Sequence, residues 1–217
     1  MKYYLFKYGI PRILPKHKLN FLGHLGDLSD WISKHRDLAY STFPTKNFKY
    51  DNRFGLYQFV IDNEIAGEAI DYFEFGVSKG RSFKWWVENF KHEDAHFFGF
   101  DTFTGLPEDW GHFKKGDMSN GNEPPKIDDN RHKFYQGIFQ STLNDFLKTY
   151  DSDKKKVIHL DADLYSATLF VLTSMSPYLK KGDVLLFDEF NVPLHEFKAF
   201  TEWVNSFYIN YKVIGEV

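Results

Sequence analysis

From residue 70 onward, apolar runs of strand length alternate with stripes at helical spacing, and acids stand where the runs end. This alternation restricts the fold more than any single motif does. Ile70–Phe75 reads as a buried strand, and Phe83, Trp86, Val87 and Phe90 then recur at helical spacing. Ala95–Phe100 is a second strand and Lys133–Tyr135 a weak third, followed by a helix from Ser141 that turns Leu143, Phe146 and Leu147 inward. Val157–Leu160 is a strong strand. Leu164, Thr168, Val171, Leu172 and Met175 form a helical stripe that stops at Pro177. Val184–Phe187, a helix marked by Leu194, Phe197, Phe200, Val204 and Phe207, and a last strand at Tyr211–Ile214 complete the series. Such a chain folds through right-handed strand–helix–strand units into a doubly wound, mostly parallel α/β sheet with helices on both faces. Ligands of such sheets sit outside the carboxyl ends of the strands, where the strand order switches. The acids fall at those ends.

The first part of the chain is different. Pro11, Pro15, Gly23, Gly26 and Pro44 punctuate residues 1–50. One helix is expected at Leu28–Tyr40, capped by Ser29 or Asp27, and a second from Phe54 to Ala69. Residues 1–69 are read as an N-terminal helical cap or extension, and residues 70–217 as the core. The aromatic N-terminal region is a candidate homodimer surface.

A length of 217 residues gives room for one α/β domain with a full core. No apolar run approaches the roughly 18 residues of a membrane span, and Met1–Lys7 lacks a secretory pattern. Cysteine is absent, which rules out disulfides and thiolate metal sites and fits a cytoplasmic protein. A net charge of -3 argues against nucleic acid as partner, because phosphate neutralisation needs concentrated positive charge.

Residues Asp71–Ser82 trace a strand, a glycine-punctuated turn and the start of a helix. Glycines permit close backbone approach to a ligand, and a helix start presents free N–H groups. No Gly-Lys-Ser/Thr follows, and Val77 and Ser78 stand where the dinucleotide fingerprint requires another glycine. The turn therefore suits a ligand without a pyrophosphate. Glu74, Gly76, Val77, Gly80 and Ser82 are assigned to it. Asp101, at the end of the second strand with Thr102 beside it, suits a ribose diol, or a turn cap in the alternative.

Asp161, Asp163, Asp188 and Glu189 end two strands in paired acids. Unpaired, such carboxylates repel and their pKa values rise. A hard divalent cation relieves that, and oxygen ligands favour Mg²⁺, Mn²⁺ or Ca²⁺ over Zn²⁺. The alternative is that Asp163 caps a helix. His159, inside a strand, reads as packed or sheet-facing. His195 opens the last helix after the acidic pair and is a candidate base. The stretch Pro107–Lys133 has little periodicity and is read either as a substrate lid or as an insertion.

These residues resemble a class I S-adenosylmethionine-dependent methyltransferase, and more narrowly the macrocin O-methyltransferase family, which modifies sugar hydroxyls. The resemblance rests on Phe73–Gly80, on Gly99–Pro107, on His159–Thr168 and on Phe187–Phe190, and spans residue 54 to the C-terminus. It implies a Rossmann-like sheet of seven strands. It implies that the Glu74–Gly80 turn holds the methionine moiety of S-adenosyl-L-methionine, that Asp101 holds the adenosine ribose, and that Mg²⁺ binds near Asp161, Asp188 and Glu189. The family usually carries Asp-Asp where this chain has Asp188-Glu189. It also ends in a hairpin, whereas one strand follows the last helix here, so either the chain continues past Val217 or the sheet lacks a strand.

The expected reaction is metal-assisted O-methyl transfer to a small-molecule acceptor, a sugar or polyol, with Asp161, Asp163 or His195 as proton acceptor. Nitrogen as the methylated atom stays open. Two rivals remain at this point. Asp161-Ala162-Asp163 mimics the D-x-D motif of metal-dependent glycosyltransferases, and a non-catalytic binding protein on the same fold would also carry the glycine turn.

Overall fold

Ile70–Phe75 (β2) is buried on both faces: Ile70, Tyr72, Phe73 and Phe75 supply apolar surface, and the buried carboxylates of Asp71 and Glu74 accept from the hydroxyls of Tyr150 and Tyr72. The computed structural model describes residue 7, residues 15–42 and residues 49–217. Around β2 it arranges β3 (His96–Asp101), β4 (His132–Gln136), β5 (Lys155–Leu160) and β6 (Val184–Phe187) in one five-stranded sheet. All its pairings are parallel, in the order β4-β3-β2-β5-β6. The strand order switches between β2 and β5, where Glu74 pairs with His159 and Phe75 with Leu160. Rossmann-like architecture with a mostly parallel sheet is thus the observed fold.

Period-two alternation divides the strands between two layers. Ile70, Tyr72, Phe97, Val157, Val184 and Leu186 face one core. Tyr57 and Val60 of α2 (Asn52–Val60) and Phe83, Trp86 and Val87 of α3 (Arg81–Asn89) fill that core. On the other face, Phe73, Phe98 and Phe100 pack against Phe146 of α4 (Phe139–Leu147). Phe187 packs there on Phe200 of α6 (Glu196–Phe207), and α5 (Tyr165–Met175) lies against α4 and α6.

The sequence expectations fail in three places. The first helix, α1, spans Lys16–Lys34 rather than Leu28–Tyr40. It starts after Pro15, a residue suited to a helix start, and runs through Gly23 and Gly26, each a tolerable cost of about 1 kcal/mol. Asp27 and Ser29, expected as caps, are interior. The helix at Phe54–Ala69 instead ends α-helically at Val60 and closes in a π-turn, Ile61–Ile65. Tyr211–Ile214 forms no strand. The chain leaves α6 through Tyr208 in a left-handed conformation, and β7 (Gly215–Glu216) pairs instead with β1 (Tyr40–Ser41) as a separate two-stranded sheet. The main sheet therefore has five strands among the described residues, not the seven implied by the resemblance.

The chain divides into two compact units, Met1–Arg36 and Asp37–Val217. Residues 37–69, read from sequence as part of the N-terminal extension, belong with the sheet, because Tyr57, Val60 and Ile65 are core residues of that layer. Among the described residues, no helix is long and apolar enough to cross a membrane.

Candidate active site

The sheet's ladder continues past its strand ends. Asp161 N–H donates to the Phe75 carbonyl at 2.9 Å, and Asp188 N–H to the Leu160 carbonyl at 3.0 Å. These bonds fix both acids at the carboxyl rim, beside the switch point. Asp163 follows in the left-handed region, at φ 57°. Glu74, Asp161 and Asp188 all come to this one rim, with Asp163 and Glu189 adjoining.

Crowding shows in the acid–base properties. Burial, followed by Asp188, Asp163 and Glu74, pushes the Asp161 carboxyl well above the usual carboxylate range. Burial, then Glu189 and Asp188, pushes Asp163 up to about 7. Glu189 is raised by burial and by Asp188, and Arg53 opposes this. Glu196, not singled out from sequence, is fully buried in the same field and raised well above its ordinary value by burial. Its Oε2 accepts the Glu189 N–H at 2.9 Å, while Oε1 has no partner.

Arg53 on α2 is ion-paired with Asp188. The guanidinium lies over the Tyr50 ring, 3.5 Å from its centroid, and its Nε donates to the Tyr50 carbonyl at 3.2 Å. His159, Asp161 and Asp188 place one ligand atom each within 4.8 Å of one another. His159 Nδ1 lies 3.2 Å from the Tyr72 hydroxyl and 3.4 Å from Glu74 Oε2, and Nε2 lies 3.4 Å from the Tyr57 hydroxyl. Sequence reasoning missed Arg53 and His159 as site residues. The signal for His159 is its register opposite Glu74, which only the strand order reveals.

The turn after β2 is built differently from the expectation that its glycines admit a ligand. A Cβ on Gly76, at φ 98°, would stand 1.7 Å from the Asp161 carbonyl oxygen, so this glycine admits the backbone of β5's end. Gly80 is closed by the Pro125 ring, at 2.6 Å from such a Cβ. Val77 is a core residue, and the Ser82 hydroxyl lies 3.3 Å from that of Tyr50 and 3.4 Å from that of Tyr57. Glu74 is buried and accepts from the Tyr72 hydroxyl. Asp101 organises the turn: Oδ2 accepts the Val77 and Ser78 N–H groups at 2.8 and 2.6 Å, and Oδ1 the Phe103 N–H at 2.6 Å. The Thr102 hydroxyl stands at a long 3.5 Å from Oδ1 as a fourth neighbour. The Thr102 hydroxyl donates to the Gly105 carbonyl at 2.8 Å.

His195 sits at the start of α6, with its Nδ1 buried and unpartnered and its basicity lowered by burial. The Trp110 ring stands perpendicular to it, with centroids 6.1 Å apart. Trp110 and Phe113 exchange backbone hydrogen bonds at 3.0 and 2.8 Å and stack at 5.3 Å. Glu108 accepts from the Ser166 hydroxyl at 3.2 Å. The segment after β3 is thereby tied to the elements that follow both acidic strand ends.

A parallel sheet with a turn, an acid and a second acidic rim at its switch point defines a class: these are the parts of a class I S-adenosylmethionine-dependent methyltransferase. The model of a family described as "Methyltransferase domain" matches residues 73–190, and the chain belongs to this family. The match places it among methyltransferases and not among glycosyltransferases. No curated protein matches. Solved methyltransferases share the fold. The structure of CalS11, a calicheamicin methyltransferase, aligns with a TM-score of 0.57 at 18% identity, covering 89% of this chain and 84% of that one. The O-methyltransferase NovP aligns with a TM-score of 0.57 at 21% identity, covering 72% of each chain. A second structure of CalS11, described as a TDP-rhamnose 3'-O-methyltransferase, aligns with a TM-score of 0.53 at 19% identity, covering 83% and 84%.

Proposed function

We propose that this methyltransferase acts on a hydroxyl oxygen of a sugar or polyol, with a divalent cation assisting at the acidic rim. One observation carries the reading: His159, Asp161 and Asp188 converge beside the glycine turn, with further carboxylates around them and Arg53 as their ion-paired cation. A buried acid cluster of this kind suits a dication, and the Oε1 of Glu196 is a buried acceptor in the same field that has no hydrogen-bond partner. The sugar class draws support from CalS11, whose acceptor is TDP-rhamnose.

When bound, S-adenosylmethionine supplies an electrophilic methyl group on a positively charged sulfur, and a divalent cation lowers the pKa of a neighbouring hydroxyl. The protein's residues do the rest. The Gly76–Gly80 turn and the Asp101 carboxylate would receive the methionine and ribose parts of the cofactor, with Thr102 alongside. His195 takes the acceptor's proton: burial keeps its ring neutral, and Nδ1 has no other partner. Asp163 is the second group able to do so. The acceptor oxygen bonds to the methyl carbon as the carbon–sulfur bond breaks, and the bonding pair stays on sulfur. Holding oxygen, carbon and sulfur in line is the larger part of the catalysis.

The test is mass spectrometry of TDP-rhamnose incubated with protein and S-adenosylmethionine, with EDTA, Mg²⁺ or Mn²⁺. The expected product carries one O-methyl group. Chelation or Asp188→Ala removes turnover while calorimetric binding of S-adenosylhomocysteine persists. Unchanged turnover in Asp188→Ala defeats the metal role. Binding of S-adenosylhomocysteine without turnover on any hydroxyl acceptor favours the non-catalytic reading.

A further inference from the structure

The family resemblance implies an oxygen-only cation site built from Asp161, Asp188 and Glu189. The geometry points elsewhere. We infer that His159 is a cation ligand together with Asp161 and Asp188, which makes the site a mixed nitrogen–oxygen one selective for a borderline transition-metal dication over Mg²⁺. This rests on the divalent-assisted reading above and deepens it.

The three residues converge near the carboxyl ends of β5 and β6, with His159 inside β5 and the two acids just past the strand ends. His159 and Asp161 are two apart on one strand and its extension, so they face the same side. Asp188 stands on the neighbouring strand end, held by its bond to Leu160. Ligand atoms from all three lie within 4.8 Å of one another, a span that one ion bonded to each at 2.0–2.5 Å would bridge. Glu189 is not in this convergent set among the described residues.

The surroundings of His159 resemble those of a metal-bound imidazole. A ligating histidine commonly gives its other ring N–H to a carboxylate, which fixes the tautomer and raises the basicity of the ligating nitrogen. Glu74 Oε2 stands 3.4 Å from Nδ1. Glu74 is buried, opposite His159 in the β2–β5 register, and accepts from Tyr72 as well. A proton on Nδ1 leaves the Nε2 lone pair available. Nε2 has only the Tyr57 hydroxyl nearby, at a long 3.4 Å, and that hydroxyl has a second partner in Ser82. The Oε1 of buried Glu196, in the same acid field, is a second observation: a buried polar atom with no hydrogen-bond partner.

Imidazole nitrogen is the donor that separates the dications. Mg²⁺ prefers hard oxygens and keeps its waters; Mn²⁺ also takes oxygen sites but tolerates a nitrogen among them, and Fe²⁺ and Co²⁺ accept nitrogen with affinity rising along the series Mn²⁺, Fe²⁺, Co²⁺. The rival explanation is a core histidine hydrogen-bonded between Tyr57 and Tyr72, with the cation held by oxygens alone.

The experiment titrates the full chain with Mn²⁺ and Mg²⁺ by calorimetry and records pulsed EPR of the Mn²⁺-loaded protein. Mn²⁺ is expected to bind at least about tenfold more tightly than Mg²⁺, with a ¹⁴N modulation on the bound ion. His159→Gln should lose the modulation and about tenfold or more in Mn²⁺ affinity, with Mg²⁺ affinity nearly unchanged. Bound Mn²⁺ without ¹⁴N modulation in the unaltered protein, or equal affinities for the two ions, overturns the assignment and leaves an oxygen-only cation site standing. The EPR measurement on the unaltered chain decides even if the variant fails to fold. Failure of both cations to bind overturns the metal-assisted reading and this assignment with it, while S-adenosylhomocysteine binding and methyl transfer are judged separately.

Discussion

Arg53 of α2 is ion-paired with Asp188 at the end of β6, 135 residues away, and this pair ties a helix outside the matched methyltransferase region to its acidic rim. Both side chains are largely buried. Removing one partner of such a pair strands the other's charge, at a cost of roughly 3 kcal/mol or more. Arg53→Met should therefore lower the unfolding free energy by about that amount when no dication is present. Mn²⁺ should then restore more stability to the variant than it adds to the unaltered protein, because the cation replaces the missing guanidinium. Thermal unfolding with EDTA and with Mn²⁺ measures both effects.

Gly76 is fixed by its neighbour, the Asp161 carbonyl. An added Cβ would penetrate the Asp161 carbonyl, and φ 98° disfavours any L side chain. Gly76→Ala should displace the end of β5, lowering stability by several kcal/mol and abolishing cation binding together with cofactor binding. Gly67→Ala is the control: φ is 82° but nothing lies within 4 Å of the new methyl, so only the backbone cost of about 1 kcal/mol applies. Urea unfolding of the two variants separates close packing from backbone strain.

The sequence made some of this legible and hid the rest for physical reasons. Ile70–Phe75 and Val184–Phe187 were readable to the residue, because the first is a mainly apolar, aromatic run and the second a continuous apolar one, each bounded by a turn. The rim position of Asp161 and Asp188 followed from the same runs. The neighbours of each acid depend on strand order, which periodicity does not carry, so the Glu74–His159 pairing was hidden. Arg53 was hidden because its partner lies on a distant strand. The strand misplaced at Tyr211–Ile214 has the right residue types but no neighbouring ladder. The glycines of the turn were readable as obligatory, but the atoms they make room for belong to Asp161 and Pro125.

Arg131 closes the end of α3 from a distance. Its guanidinium donates to the carbonyls of Val87 at 2.8 Å, Phe90 at 2.7 Å and His92 at 3.0 Å, and pairs with Asp129. Those hydrogen bonds from Arg131 hold the Asp129 carboxyl below its usual range. A depressed carboxyl contributes stability above its unfolded pKa of about 4 and loses it as pH falls through the lower folded value. Asp129→Asn should therefore be less stable than the unaltered protein at pH 7, and the difference should shrink away as pH falls through the lowered folded value. Denaturation at a series of pH values tests the sign.

The Trp110–Phe113 pair offers an aromatic face beside His195. If the acceptor's ring packs there, Trp110→Ala should raise the acceptor KM by about tenfold, the equivalent of about 1.4 kcal/mol. The affinity for S-adenosylhomocysteine, measured by calorimetry, should not move, because the turn that receives the cofactor is anchored by Asp101. Trp110→Phe should recover most of the loss. Equal losses in cofactor affinity would show instead that the segment supports the turn.

His195 and Asp163 place the acid limb of the pH profile differently. Burial lowers the His195 pKa and Glu108 opposes that shift, so a reaction using neutral His195 should lose kcat/KM only below a pH somewhat under the ordinary 6.5. Replacing Glu108 by Gln removes the raising influence. The acid limb should then move to lower pH, leaving turnover at pH 8 unchanged. Losing the proton acceptor itself, in His195→Gln, should cost roughly a hundredfold in kcat and erase that limb. If Asp163 takes the proton, the limb survives in His195→Gln and does not respond to Glu108→Gln. The pH profiles of these two variants against the unaltered protein assign the acceptor, because Glu108 is among the influences on His195 and is not among those acting on Asp163.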